Sequence, residues 1–327
     1  MEMNSVGEHS PDALGRADVW FRRRTSCWQD WPVRGLIEAK KRLDVSISVV
    51  IPAKNEERTV SGVVTALAQA LMTECDLIDE LVVMDSDSTD ATFEVAAQAG
   101  ATVYRAREVA PELGGYLGKG EALWKSLLVA KGDLLVFIDA DLTQWGTHFV
   151  TGLLGPLLAD ERVMLAKGFY ERLYAAGDGS ASADGGRVTE LVARPLLNLW
   201  WPELAYVVQP LAGEWAARRC LMESLPIPVG YGVEFATLLD TASRHGLDAV
   251  AQVDLGSRGH KHQSSHDLAV MAAELMVVAE RRRHRTSPAA PASLHQFVRT
   301  VDGIARRPRP VPTRERPPVT SLPGTVR

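Results

Sequence analysis

Cysteine is scarce in this chain. Cys27, Cys75 and Cys220 are the three in 327 residues, widely spaced and odd in number. They set up no disulfide framework and no zinc site, and a reducing cytoplasm is the expected setting. No apolar run approaches the ~18 residues of a membrane span. The opening residues, MEMNSVGEHSPDALGRADVW, carry acids and lack an apolar core, so no signal peptide is expected there. A formal net charge of −5 gives nucleic acid or an anionic membrane no general attraction. No Gly-x-Gly-x-x-Gly follows the first strand pattern, which counts against a dinucleotide-dependent dehydrogenase, and the absence of a Walker-type loop counts against a P-loop NTPase. What remains is an ordinary globular composition, 46% apolar and 24% charged. It allows one large α/β domain with appendages, or two small domains.

The stretch that organises the chain is Leu134-Leu135-Val136-Phe137-Ile138-Asp139-Ala140-Asp141. An apolar run rich in Val, Ile and Phe reads as a buried strand. Burying unpaired carboxylates costs several kcal/mol, so Asp139 and Asp141 belong at the strand's end, facing solvent or a ligand. Asp-x-Asp there suits a hard divalent cation that also holds a diphosphate, Mg²⁺ in the first place. A helix cap or a turn is the alternative. Upstream, VSISVVI at 45–51 reads as a strand ending in Pro52-Ala53-Lys54-Asn55-Glu56-Glu57. A helix over 59–71 follows, then a strand at 80–84 ending in Asp85-Ser86-Asp87-Ser88-Thr89-Asp90, a helix at 91–99 and a strand at 101–104. A Gly-rich loop then leads to Gly118-Lys119-Gly120-Glu121, which opens another helix. Four alternations in about 100 residues predict a doubly wound, mostly parallel sheet with helices on both faces. Ligands of such sheets bind beyond the carboxyl ends of the strands, so the three polar clusters share one rim.

The second half predicts a strand at 163–167 and a mobile small-residue flap at 177–186. The helix that follows starts at Arg187-Val188-Thr189-Glu190. Backbone amides, an Arg and a Thr hydroxyl there suit a phosphate or carboxylate, with a surface Arg beside a helix cap as the alternative. Glu234 opens an apolar helix, where an acid needs a reason. A last strand over 247–255 runs into Gly256-Ser257-Arg258-Gly259-His260-Lys261-His262, where two histidines this close are candidate metal ligands, His260 first given the Asp-x-Asp, with a polar loop as the alternative. The helix from 266 to 283 shows an apolar stripe, Leu268, Met271, Leu275 and Val278, that covers the core or a partner copy; a homodimer is the expected assembly. Trp28 and Trp31 are expected to staple a tail onto the domain. Residues 1–30 read as a mobile tail and 304–327, rich in Pro and Arg, as a disordered one.

Pro-Ala-x-Asn-Glu-Glu, Asp-Ser-x-Ser-x-Asp and a later Asp-x-Asp together resemble a GT-A nucleotide-sugar glycosyltransferase. GKGEALW at 118–124, GGRVTELVARPLL at 185–197 and Tyr231-Gly232-Val233-Glu234 resemble the actinobacterial glucosyl-3-phosphoglycerate synthases, which are retaining enzymes. The likeness spans roughly 28–303. It implies α/β GT-A architecture with a nucleotide-sugar half at 31–175 and an acceptor half with C-terminal helices at 176–303.

The resemblance also implies roles. Pro52, Ala53, Asn55 and Glu56 would cradle the uridine and ribose, with Ser86 at the uracil end and Lys119 near the diphosphate. Asp139 and Ala140 would sit against the ribose or sugar, and Asp141 with His260 would bind Mg²⁺ or Mn²⁺. Tyr231 and Glu234 would meet the glucose, and Arg258 would pair with phosphate. Gly186, Arg187, Val188, Thr189 and His262 would hold the acceptor, whose hydroxyl would attack near the carbonyl of Leu211. The implied partners are a UDP-sugar and a small anionic acceptor, with no nucleic acid and no membrane. Three positions depart from the family pattern: Lys54 replaces an aliphatic residue, Gly114-Gly115-Tyr116-Leu117 a Pro- and Arg-containing approach, and His262 an Asn. Another nucleotide sugar or another small acceptor is therefore the alternative substrate pair. A catalytically silent nucleotide-sugar binder is the alternative of a different class. A nucleotidylyltransferase is disfavoured by PAKNEE where a Gly-rich basic loop would be.

Overall fold

The computed structural model describes residues 11–174, 186–260, 264–284, 293–301 and 303–323, with the side chains of 11–14, 172–174 and 260 left aside. The strands are β1 (Thr25–Cys27), β2 (Ile47–Ala53), β3 (Glu80–Asp85), β4 (Thr102–Arg105), β5 (Leu134–Phe137), β6 (Leu165–Tyr174), β7 (Trp215–Arg218), β8 (Ile227–Pro228), β9 (Val250–His260), β10 (Ser293–Thr300), β11 (Gly303–Pro310) and β12 (Glu315–Arg316). The helices are α1 (Pro11–Arg24), α2 (Val33–Leu43), α3 (Val60–Leu67), α4 (Thr92–Gln98), α5 (Lys119–Ser126), α6 (His148–Ala159), α7 (Arg194–Trp200), α8 (Arg219–Ser224), α9 (Val233–His245) and α10 (Ser265–His284).

Eight strands form one sheet in the order β1-β9-β6-β7-β5-β2-β3-β4. Only β7, within this sheet, runs antiparallel to its neighbours, β5 and β6. The chain winds outward from β2 to β3 and β4, then returns to place β5 on the other side of β2. That reversal opens a crevice at the carboxyl ends of β2 and β5, where doubly wound sheets bind ligands. The halves divided at 175 share this sheet, since β7 sits between β5 and β6.

Both faces are covered, which is why the central strands read as unbroken apolar runs rather than alternations. Along β2, Val49 and Ile51 join the core on one face while Val50 joins the core on the other. In β5, Leu134 and Val136 share the first core, Leu135 and Phe137 the second.

The described parts of both end segments depart from the expectation of tails. From Pro11 to Arg24 the chain is helical, and β1 extends the sheet beside β9. The Trp20 indole is buried and donates to the Val250 carbonyl at 2.8 Å. The expected tryptophan staple is present: Trp31 lies on Gly155 and Trp28 against His148 of α6. At the other end β10 and β11 form an antiparallel hairpin, and β12 pairs with β8. Val311, Arg316 and Val319 are buried. Pro-rich composition argues against a central strand, not against a hairpin outside the main sheet.

Candidate active site

A cavity of about 620 Å³ opens at the carboxyl rim of β2, β3 and β5. One wall is made of strand ends: Pro52 and Ala53 at the end of β2, Ser86 after β3, and Asp139, Ala140 and Asp141 after β5 all line it. The loops carrying them brace one another. The Ser86 amide donates to the Ala53 carbonyl at 2.8 Å and the Glu56 amide to Thr92 Oγ1 at 2.8 Å. Asn55 is at φ 56°, a left-handed conformation that Asn tolerates, and its Oδ1 accepts from the Thr89 amide at 2.9 Å. Asn55 is thereby a brace between two loops and is not among the residues lining the cavity, while Lys54 and Glu56 are.

The start of α5 brings in the cation. Gly118 has φ +139° and Gly120 has backbone where a Cβ would sit: the Pro228 carbonyl would be 1.8 Å from it. The amides of Gly120 and Glu121 donate to the carbonyls of Gly230 (3.1 Å) and Val229 (2.9 Å). This close approach delivers Lys119 Nζ to Asp139 at 2.6 Å and to Glu234, at the start of α9, at 2.7 Å. Burial pulls the Lys119 ammonium down, but the two carboxylates more than offset it and hold its pKa well above the lysine range. Burial likewise works to raise Asp139, and Lys119 and Arg258 hold it well below the usual carboxylate range. Both groups are therefore charged throughout the physiological range.

Arg258, buried in β9, ties the floor to this cluster. Its Nη2 donates to Asp141 at 2.9 Å and to Asp139 at 3.2 Å, while its Nη1 meets the Tyr170 hydroxyl at 2.9 Å. Glu214 lies beneath it, fully buried, 3.4 Å from the guanidinium. Burial raises the Glu214 carboxyl above its ordinary value despite Arg258. A Cβ at Gly213 would lie 2.2 Å from Asp139 Oδ2, so any larger residue there would push that carboxylate from its place. Next to it, the buried Lys167 ammonium donates to the Ala212 carbonyl at 2.9 Å, and burial lowers its pKa to about 8. Leu211 lines the cavity immediately before that carbonyl.

The facing wall is the start of the helical turns that run from Arg187 through Thr189–Ala193 into α7, and the side of α10. Gly186, Arg187, Val188 and Thr189 all line the cavity; Val188 and Thr189 are buried and Arg187 is exposed, with Nη1 3.5 Å from Ser265 Oγ. Leu268, Met271, Glu274 and Leu275 of α10 complete it with Pro310 and Pro312. Glu274 escaped the sequence reading. It is 3% exposed and accepts the Tyr231 amide at 2.6 Å, and burial raises its pKa to about 7. Its signal was a carboxylate set inside an apolar stripe, three residues from Met271 and four from Val278.

The cavity thus gathers all the residues expected to hold donor and acceptor except Asn55 and His262. His262, the side chain of His260 and residues 177–185 of the expected flap lie outside the described residues. Among the described residues no three His, Cys, Asp or Glu side chains converge as a metal-binding group. Asp141 faces the cavity with its side chain 29% exposed. The backbone next to His260 is close by, since the Gly259 amide donates to the Gln144 carbonyl at 3.1 Å. One carboxylate and one imidazole fit a divalent ion that completes its shell with phosphate oxygens and water, and do not make a closed structural site.

Known proteins resemble this chain in sequence and fold. Residues 48–175 match the model of glycosyl transferase family 2. Glucosyl-3-phosphoglycerate synthase of Mycolicibacterium paratuberculosis is 42% identical over 97% of this chain and 97% of its own length. The Mycobacterium tuberculosis glucosyl-3-phosphoglycerate synthase structure in complex with Mn²⁺ and UDP-glucose matches with TM-score 0.79 and 43% identity, covering 89% of this chain and 95% of that one. Mannosyl-3-phosphoglycerate synthase of Rubrobacter xylanophilus matches with TM-score 0.85 and 37% identity, covering 94% and 98%.

Proposed function

The chain belongs to the glucosyl-3-phosphoglycerate synthase family, and we propose on that footing that it moves glucose from UDP-glucose to the hydroxyl of 3-phosphoglycerate, giving glucosyl-3-phosphoglycerate and UDP. The observation that carries this reading is the pairing of two walls in one cavity. Strand ends with Lys119, Asp139, Asp141 and Arg258 face a helix start with Arg187 and Thr189. A nucleotide diphosphate and a small phosphorylated acid each meet a wall of matching chemistry.

The family likeness, with the lining of the cavity, supports the following roles. Pro52, Ala53, Glu56 and Ser86 take the uridine and ribose, and Asp139 and Ala140 the ribose or sugar. Lys119 presents its charge to the diphosphate while anchoring Glu234, whose carboxylate accepts from glucose hydroxyls beside Tyr231. Arg258 pairs with phosphate. Asp141 and His260 would hold Mg²⁺ or Mn²⁺, which when bound neutralises charge developing on the diphosphate. Arg187, with the backbone at Gly186, Val188 and Thr189, holds the acid, and the family likeness adds His262 to that set. In the transfer the bond from glucose C1 to the diphosphate oxygen breaks and its electron pair leaves with UDP. The acceptor oxygen bonds C1 near the Leu211 carbonyl, and its proton passes to the departing phosphate. Attack from the leaving-group side gives retention.

Retention, a homodimer and a cytoplasmic setting belong to the same proposal. Among the described residues no helix is long and apolar enough to cross a membrane. The test is UDP release from purified protein with Mn²⁺ and UDP-glucose, with and without 3-phosphoglycerate. Acid-dependent release with a product of glucosylglycerate phosphate mass is expected. Slow release indifferent to the acid overturns the acceptor. A second reading, mannose as the transferred sugar, draws on the likeness to the mannosyl enzyme and on Lys54 beside the nucleotide. Running GDP-mannose in parallel separates the two.

A further inference from the structure

The end of the chain returns to the strand-end wall. β12 lies along β8 with Arg316 opposite Ile227, and the Val229 amide donates to the Arg314 carbonyl at 3.0 Å. Arg316 is 5% exposed and meets Glu121, 2% exposed, as a fork: Nε to Oε2 at 2.8 Å and Nη2 to Oε1 at 2.6 Å. Its remaining reach goes to the carbonyls of Leu113 at 2.7 Å and Gly114 at 2.8 Å. The Tyr116 and Trp124 rings each lie 4.6 Å from the guanidinium, and the Trp124 indole donates to the Pro317 carbonyl at 2.8 Å. On the same loop, Lys125 Nζ takes the carbonyls of Val109 (2.5 Å) and Ala110 (3.0 Å).

Two cations thus hold the loop by its carbonyls, one from α5 and one from the far end of the chain. The loop between β4 and α5 contains only single 3-10 turns to fix its shape. A few residues on, it supplies Leu117, Gly118 and Lys119 to the cavity. A buried ion pair is weak evidence of added stability, because desolvation offsets the attraction. What a planar guanidinium adds is direction: its fork fixes Glu121 and two carbonyls in one geometry, which a lysine does not reproduce.

We propose that Arg316 is a positioning residue for the donor site, locking loop 113–118 through Glu121 so that Lys119 meets the donor diphosphate. This rests on the reading of Lys119 given above. The test uses the full chain as wild type, Arg316→Lys and Arg316→Ala. It titrates UDP with Mn²⁺ calorimetrically, then measures KM for each substrate and the thermal midpoint. Arg316→Lys is expected to fold and to weaken UDP binding and raise the UDP-glucose KM about tenfold, with the KM for 3-phosphoglycerate within about twofold. Arg316→Ala, where it folds, goes at least as far. UDP binding as tight as wild type in folded Arg316→Lys overturns the proposal. So does equal weakening of both substrates in step with a falling midpoint, which marks a merely structural strap. Wild-type protein that binds no UDP removes the functional reading itself, and the proposal with it.

Discussion

The two walls of the cavity are built from different materials. The strand-end wall is an ionic lattice: Lys119, Asp139, Glu234, Arg258 and Glu214 interlock at 2.6 to 3.4 Å. None of their side chains is more than 23% exposed. The facing wall is a helix start with an exposed arginine and the flank of α10. In the lattice each charge is the solvation of its neighbours, so removing one strands the others in a low dielectric. On the open wall water replaces what is removed. The first wall should therefore tie activity to stability, and the second should separate them.

Lys119→Met strikes the lattice hardest. It leaves Asp139 and Glu234 facing each other without their shared cation. Turnover is expected to fall by ~10² to 10³, the scale of losing one preorganised electrostatic contact. Stability is expected to fall by about 3 to 5 kcal/mol, the scale of breaking a buried pair. UDP release and urea unfolding measure the two. Turnover within tenfold of wild type would break the comparison at its centre. Arg187→Ala is next: a rise of ~10- to 100-fold in the KM for 3-phosphoglycerate, with the UDP-glucose KM and the unfolding midpoint unmoved. Unchanged kinetics with that acid would sink the role given to Arg187.

Glu274 belongs to the open wall by position and to the lattice by burial, so it sharpens the contrast. Burial lifts its pKa from the ordinary 4.5 to about 7, the Tyr231 amide works against that, and Glu234 adds to it. The folded state then holds this proton more tightly than the unfolded chain. Its contribution to stability is complete below pH 4.5 and is lost as pH rises to about 7. The slope is at most about 1.4 kcal/mol per pH unit. Glu274→Gln keeps an acceptor for the Tyr231 amide and should flatten the unfolding midpoint across that window. Turnover should change only about two- to threefold, because the residue acts through Tyr231. A midpoint with the same pH slope in both proteins would assign the titration elsewhere.

What the residues disclosed in advance follows the same division. Buried parallel strands announce themselves, because two covered faces leave no polar position: ISVVI before Pro52 and LLVFI before Asp139 admit few other readings. Polar clusters after such strands locate the rim, and the rim locates the wall. The termini were illegible for a physical reason. Among the described side chains of α1 the deeply buried ones are Ala17 and Trp20, too few to make a stripe. In the last segment Arg316 carries composition that reads as solvated, and its burial depends on Glu121, 195 residues away in sequence. No local pattern encodes a partner at that distance. Glu274 lay between the two cases, visible as an acid in an apolar stripe but not as the ligand of a particular amide.

Asn55 separates lining the wall from supporting it, and is the smallest effect. Family likeness assigns it to the nucleotide; its side chain instead accepts from the Thr89 amide while its backbone sits at φ 56°. Asn55→Ala loses that hydrogen bond, worth about 0.5 to 1.5 kcal/mol. It also puts a residue with no local side-chain hydrogen bond in the left-handed region, for roughly 1 to 2 kcal/mol more. Because the end of β2 bearing Pro52 and Ala53 is also held by the Ser86 amide on the Ala53 carbonyl, the donor surface should survive. The expected result is a lower unfolding midpoint with the UDP-glucose KM within about threefold of wild type, the scale of a small change in positioning energy. Asn55→Gly, which relieves the backbone but not the hydrogen bond, should recover part of the midpoint and none of the KM. A tenfold rise in KM at an unchanged midpoint would put the Asn55 amide on the nucleotide after all, alongside the lining residues Lys54 and Glu56.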